Sequence, residues 1–73
     1  MHSPVNNYID TLTRRERYLE AELEKVSYLQ PINPHDYYWE GRLVSIKSEL
    51  TFLREQALPT ARALLAEEAM KRG

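Results

Sequence analysis

The chain has 73 residues, with 10 Lys and Arg against 11 Asp and Glu, a formal net charge of −1 and no cysteine. A domain of this size buries only about 60 % of the surface that its unfolded chain exposes, so its own core is marginal. Disulfides cannot reinforce that core, and the balanced charge excludes a global field that would attract nucleic acid or an anionic membrane. No apolar run reaches the length of a bilayer span, and the first ten residues lack the basic and apolar regions of a signal peptide. We therefore expect a cytoplasmic protein without membrane contact.

The first predicted helix spans about residues 4–29. Ser3 followed by Pro4 is typical of an N-cap with proline in the first helical position. Thr13 opens a capping box with Glu16 and offers a rival start. The longer helix is favoured because apolar residues recur at three-four spacing on both sides of Thr13, with only Glu16 interrupting the stripe. These residues are Ile9, Leu12, Leu19, Leu23 and Val26.

A loop at about residues 30–34 and a second helix at about residues 35–58 follow. Asn33-Pro34-His35-Asp36 predicts the helix start, because Asn can cap, Pro suits the first turn and Asp favours the positive end of the helix dipole. So short a loop makes the two helices antiparallel neighbours. When the second stripe faces the first, the paired positions add to 65 or 66 throughout, which favours a hairpin. The second stripe comprises Trp39, Leu43, Ile46, Leu50, Leu53 and Ala57.

Pro59 predicts a kink or a break before a last helix at about residues 60–72. This tail either extends the second helix beyond the hairpin or folds back as a short third helix. Under the pairing rule it has no counterpart on the first helix, although its apolar pattern continues and needs a partner. The apolar residues of the tail are Ala61, Leu64, Leu65, Ala69 and Met70.

The sequence therefore predicts one all-α domain over residues 1–73, a coiled-coil-like antiparallel hairpin that assembles into a helical bundle. A hairpin leaves one face of its layer open, so a homodimer or higher oligomer completes it. The alternative is a monomeric three-helix bundle closed by the tail. The residues predicted to serve self-association are Leu19, Leu23, Leu43, Ile46, Leu50, Leu53, Leu64 and Leu65.

Aromatic residues cluster at the loop end of the predicted hairpin. Tyr37, Tyr38 and Trp39 give large contact areas of the kind enriched at interface hot spots. Gly41 costs helix stability and suggests close approach of another backbone or ring, so Tyr37 and Gly41 are predicted to form a shallow groove for a partner protein. The other interpretation is a small core that closes the turn.

The residue inventory does not favour catalysis. His2 and His35 have no spacing that holds a metal, and no nucleophile is predicted beside a histidine, so we expect neither an enzyme nor a cofactor. The predicted function is that of a structural, adaptor or inhibitor-like protein that binds its own copies and another protein. The alternative is weak nucleic-acid association through Arg14, Arg15 and Arg17, although glutamates beside them cancel much of the field.

Overall fold

The computed structural model describes residues 3–32 and 37–72, and these residues form an antiparallel helical hairpin measuring 57 × 20 × 12 Å. The first arm is α1 (Pro4–Ile32). The second arm consists of α2 (Tyr37–Phe52), a π-helical segment (Leu53–Ala57) and α3 (Leu58–Arg72), which follow one another without a break. The predicted all-α hairpin is thus confirmed.

The start of α1 agrees with the sequence signal at Ser3. Its Oγ accepts a hydrogen bond of 3.1 Å from the backbone N–H of Asn6, and its carbonyl accepts one from Asn7. Pro4 occupies the first helical position, where its missing N–H leaves nothing unsatisfied. Thr13 lies inside the helix and donates its hydroxyl to the carbonyl of Ile9, so the rival start is wrong.

The end of α1 lies later than the sequence predicts. Residues 30–32, which the sequence predicts to be part of the loop, belong to the helix. Pro31 lies in this last turn, where its fixed φ is compatible with a helix and its missing N–H removes one hydrogen bond from the ladder. The predicted cap at 33–36 and the rest of the loop lie outside the described residues.

The core is a single row of side chains between the two arms, which we call the seam. The pairing inferred from the two apolar stripes is confirmed along most of the hairpin, with ten of the predicted residues in one cluster. Leu19, Val26 and Ile46 are each only 1 % exposed. Burying such side chains contributes about 1.5–3 kcal/mol each, so the seam supplies most of the hydrophobic stabilisation of the fold. The remaining members are Leu12, Leu23, Trp39, Leu43, Leu50, Leu53 and Ala57.

Pro59 neither breaks the second arm nor reverses it. The backbone N–H of Leu58 donates to the carbonyl of Leu53, five residues earlier, instead of four as in an α-helix. This wider π turn absorbs one extra residue just before the proline, which cannot itself donate a hydrogen bond. Helix α3 begins at Leu58 and not near residue 60, and in the described chain it packs on α1 while making no contact with α2. A tail folded back as a third helix is therefore wrong.

The extra residue also changes which side chains face α1 beyond Leu53. A regular spacing would bring Ala57 fully into the seam, but the π turn brings in Leu58, which is 2 % exposed, followed by Ala61 at 4 %. Ala57 remains half-buried. One inserted residue rotates everything that follows by about 100° about the helix axis, because an α-helix has 3.6 residues per turn. The π segment thus decides which face of α3 stays exposed.

Candidate interaction surface

One edge of the hairpin carries paired residues at regular intervals, and we call it the ladder edge. Near the loop end, Arg42 Nη2 lies 3.6 Å from Glu22 Oε2. Seven residues farther from the loop on each arm, Arg15 Nε and Nη2 contact the two carboxylate oxygens of Glu49 at 2.5 and 3.1 Å. Opposite charges flanking a seam fix the register and orientation of paired helices, so these pairs favour the antiparallel alignment.

The Arg15–Glu49 pair perturbs both of its members. Hydrogen bonding to Arg15 holds the pKa of Glu49 below its usual range, against the opposing effect of desolvation. The same hydrogen bonds raise the pKa of Arg15. Arg15 also lies over the ring of Tyr18, with its guanidinium carbon 5.2 Å from the ring centroid. Both side chains of the pair remain well exposed to solvent, so the pair defines register more than it stabilises the fold.

The third position of the ladder edge is not charged. Seven residues before Arg15 stands Tyr8, and seven residues after Glu49 stands Gln56. Both line an open groove of about 460 Å³ at the end of the hairpin where α1 begins, which we call the terminal groove. An apolar surface therefore takes the place of a salt bridge at this end of the ladder edge.

The terminal groove lies between the first turns of α1 and the second arm. Ala57 and Ala61 form its floor, and their small side chains give it depth. Three large apolar side chains stand around it half in solvent: Tyr8 is 51 % exposed, Phe52 is 54 % and Leu64 is 50 %. Contiguous exposed apolar groups of this kind mark interaction sites in soluble proteins. The other lining residues are Pro4, Val5, Gln56 and Thr60.

The opposite edge of the hairpin is held by Arg54. Its Nε lies 2.8 Å from Glu16 Oε2, and its Nη2 also contacts Glu20. Hydrogen bonding to Glu16 is the main cause of a raised pKa for Arg54. Glu16, the one polar residue in the first stripe, is thus paired across the arms at the side of the seam.

The loop-end tyrosines lie on the surface. Tyr37 is 81 % exposed, and Tyr38 packs edge-to-face on Trp39 of the seam, with ring centroids 5.0 Å apart. A Cβ added at Gly41 would meet no atom within 4 Å apart from its chain neighbours and its own helix backbone, so nothing in the described chain explains that glycine. Among the described residues no neighbouring side chain closes on Gly41, and partner binding by Tyr37 and Gly41 stays a prediction.

The predicted self-association residues divide into two groups. Leu23, Leu43 and Leu65 are half-buried, and Leu64 is exposed in the terminal groove. The others lie inside one hairpin, where a second copy could reach them only if the arms separated. This buried group comprises Leu19, Ile46, Leu50 and Leu53.

Sequence reasoning missed Tyr8 and Phe52 as surface residues of interest. Each directly precedes a residue of the predicted stripes, Ile9 and Leu53, and so lies beside the seam and outside the three-four pattern. Large apolar residues just off a stripe were the available signal, since they widen the apolar face of a helix.

The remaining candidate chemistry is limited. Arg15 is engaged by Glu49, so it offers less charge to a phosphate than the cluster of Arg14, Arg15 and Arg17 suggested, and nucleic-acid association stays a prediction. Within residues 3–32 and 37–72, no group of three metal-ligating side chains forms, while His2 and His35 lie outside the described residues. None of the described helices combines the length and apolarity needed to cross a membrane.

Comparisons with protein-family models, with curated proteins and with solved structures gave no significant match to this chain. Its class is therefore defined by its own geometry, as an all-α antiparallel hairpin with an apolar groove at one end.

Proposed function

We propose that this chain is a non-enzymatic protein-interaction module that associates with its own copies through helical hairpins. The observation that carries the proposal is the terminal groove, with Tyr8, Phe52 and Leu64 half-exposed around a floor of alanines. Aromatic and large aliphatic anchors beside a concavity are the usual features of protein docking sites.

The surface area of the isolated chain supports association. It exposes 5680 Å² to solvent. A compact monomer of 8.6 kDa would expose only about 4,700 Å². The excess of about 1,000 Å² is close to the roughly 800 Å² per partner that a standard interface buries. A two-layer hairpin that gains a second hairpin becomes a four-helix bundle, which is a stable way to cover such a surface.

The proposal covers structural, adaptor and inhibitor-like roles in the cytoplasm, where the lack of cysteine suits a reducing environment. The test is the molar mass in solution, measured by light scattering over a concentration series. We expect a dimer or higher oligomer that dissociates on dilution. A monomer at every concentration would refute self-association and leave only docking to a foreign protein.

A further inference from the structure

We propose that the terminal groove is the dimer interface, and that α3 of a second copy lies antiparallel in it about a two-fold axis near Leu58. This inference rests on the self-association proposed above and adds the surface, the register and the direction. In an isologous contact the same patch serves both copies, so one arrangement covers both grooves at once.

The apolar residues of the second arm set the register. Phe52 and Leu64 are the first and the last residues of the second arm that line the groove, and Leu58 is midway between them in sequence. With the axis at this midpoint, Leu64 of one copy meets Phe52 of the other at both ends of the interface. Gln56 meets Thr60 in the middle, where the amide and hydroxyl can satisfy each other's hydrogen bonds once water is excluded.

The walls of the groove complete this apolar contact. Val5 and Tyr8 come from the first turns of α1, so each groove is bounded by both arms of its own hairpin. Helix α3 of the second copy would therefore contact α1 as well as the second arm. The alanine floor, Ala57 and Ala61, permits the close approach that such packing requires.

Contacts between like charges are fewer in the antiparallel direction, in which Glu67 lies opposite Glu49, a carboxylate that Arg15 already pairs. In a parallel pair Glu67 would face Glu67, and Lys71 would face Lys71, in the other copy, and like charges at that distance destabilise helix pairs. In the antiparallel pair only residues near Leu58 approach their own equivalents, and the groove there is uncharged. The last turns of α3, which extend past the start of α1, would then run along α2 of the second copy.

The first test compares two substitutions on α3. Leu64→Lys places a charge in the proposed interface, and because Leu64 is half-exposed the hairpin itself should keep its helicity by circular dichroism. The matched control is Met70→Lys, since Met70 is 81 % exposed and does not line the groove. We expect the dimer dissociation constant to rise at least about tenfold for Leu64→Lys and to stay unchanged for Met70→Lys.

The second test uses the absence of cysteine in the chain, which allows single cysteines to report proximity. Mixed Gln56→Cys and Thr60→Cys proteins should form a disulfide-linked heterodimer under mild oxidation, because these positions face each other. Lys71→Cys alone should not cross-link, since its two copies would be about 40 Å apart along the helices, far beyond disulfide reach.

The outcomes separate the two proposals. Efficient Lys71→Cys cross-linking, or a dimer unaffected by Leu64→Lys, would overturn this interface while leaving self-association intact. A wild-type chain that is monomeric at every concentration would overturn both. Loss of the dimer on Leu64→Lys alone, together with the mixed cross-link, would establish the groove as the interface.

Discussion

Arg15 and Glu49 are 34 positions apart in the sequence, yet they form two hydrogen bonds across the hairpin, with Nε to Oε2 at 2.5 Å and Nη2 to Oε1 at 3.1 Å. The seven-residue steps from this pair reach Glu22 and Arg42 in one direction and Tyr8 and Gln56 in the other. The edge of the hairpin is thus charged near its loop end and apolar where α1 begins. The charged part orients the arms of one chain, and the apolar part is the surface we assign to a second chain.

The Arg15–Glu49 pair predicts a specific pH dependence. Arg15 lowers the pKa of Glu49 in the folded state, so the stabilisation that Glu49 contributes is present above its unfolded pKa. It is lost as the pH falls through the lowered folded value. Urea unfolding of wild type and Glu49→Gln should therefore differ at neutral pH and converge in acid. The difference should be small because both side chains are well exposed.

The control for this measurement is Glu24→Gln, a substitution at an exposed position of α1. We expect it to change the free energy of unfolding less than Glu49→Gln does at neutral pH. A gap between wild type and Glu49→Gln that stayed constant down to strongly acidic pH would show that the carboxylate charge of Glu49 is not the cause.

Ile46 tests the seam itself. It is 1 % exposed in the middle of the hairpin, so Ile46→Ala should leave a cavity and lower the free energy of unfolding by about 2–5 kcal/mol. A loss of that size approaches the whole stability of a small domain, and the variant should be largely unfolded by circular dichroism. Val44→Ala, on the exposed side of the same helix, should shift stability by less than about 0.5 kcal/mol. Equal effects at the two positions would contradict the burial pattern.

Gly41 is a position where a substitution should stabilise the fold. It lies inside α2, its φ is not positive, and an added methyl group would meet no side chain within 4 Å in the described chain. Gly41→Ala should therefore raise the free energy of unfolding by up to about 1 kcal/mol, because alanine has the higher helix propensity. The urea midpoint measures this directly, and a destabilised variant would reveal a contact at Gly41 that a single chain lacks.

The hairpin could be predicted from the sequence because its main determinants are local. The three-four spacing of Leu19, Leu23 and Val26 identifies a helix face, and Ser3 with Pro4 identifies where that helix begins. The match between the two stripes then identifies the antiparallel pairing. Each of these signals acts over a few turns of helix, so each can be read without knowledge of the fold.

The terminal groove and the π segment could not be predicted in the same way. Tyr8 and Phe52 become neighbours only after the arms align, and neither belongs to a stripe. The extra residue in the second arm can be recognised in the sequence only when Leu58, and not Ala57, is known to be the residue that enters the seam. Pro59 indicates an irregularity in the helix, but a kink, a break and a π turn can each accommodate a residue that has no N–H donor. Side-chain packing against α1 selects among these three.

The last prediction concerns the π segment, which acts as a one-residue insertion in a regular seam. Deleting the exposed Glu55 would leave a step of four residues from Leu53 to Leu58, the step that an α-helix uses, so both would still face α1. The deletion is combined with Pro59→Ala, since proline inside a regular α-helix costs about 3 kcal/mol. Deleting Ser48 from α2 is the control, because it rotates every later seam residue by about 100° away from α1. Thermal unfolding followed by circular dichroism should show a stable hairpin for the first variant and loss of cooperative unfolding for the second. If the Glu55 deletion were as damaging as the Ser48 deletion, the π turn would have a role beyond keeping the seam in phase.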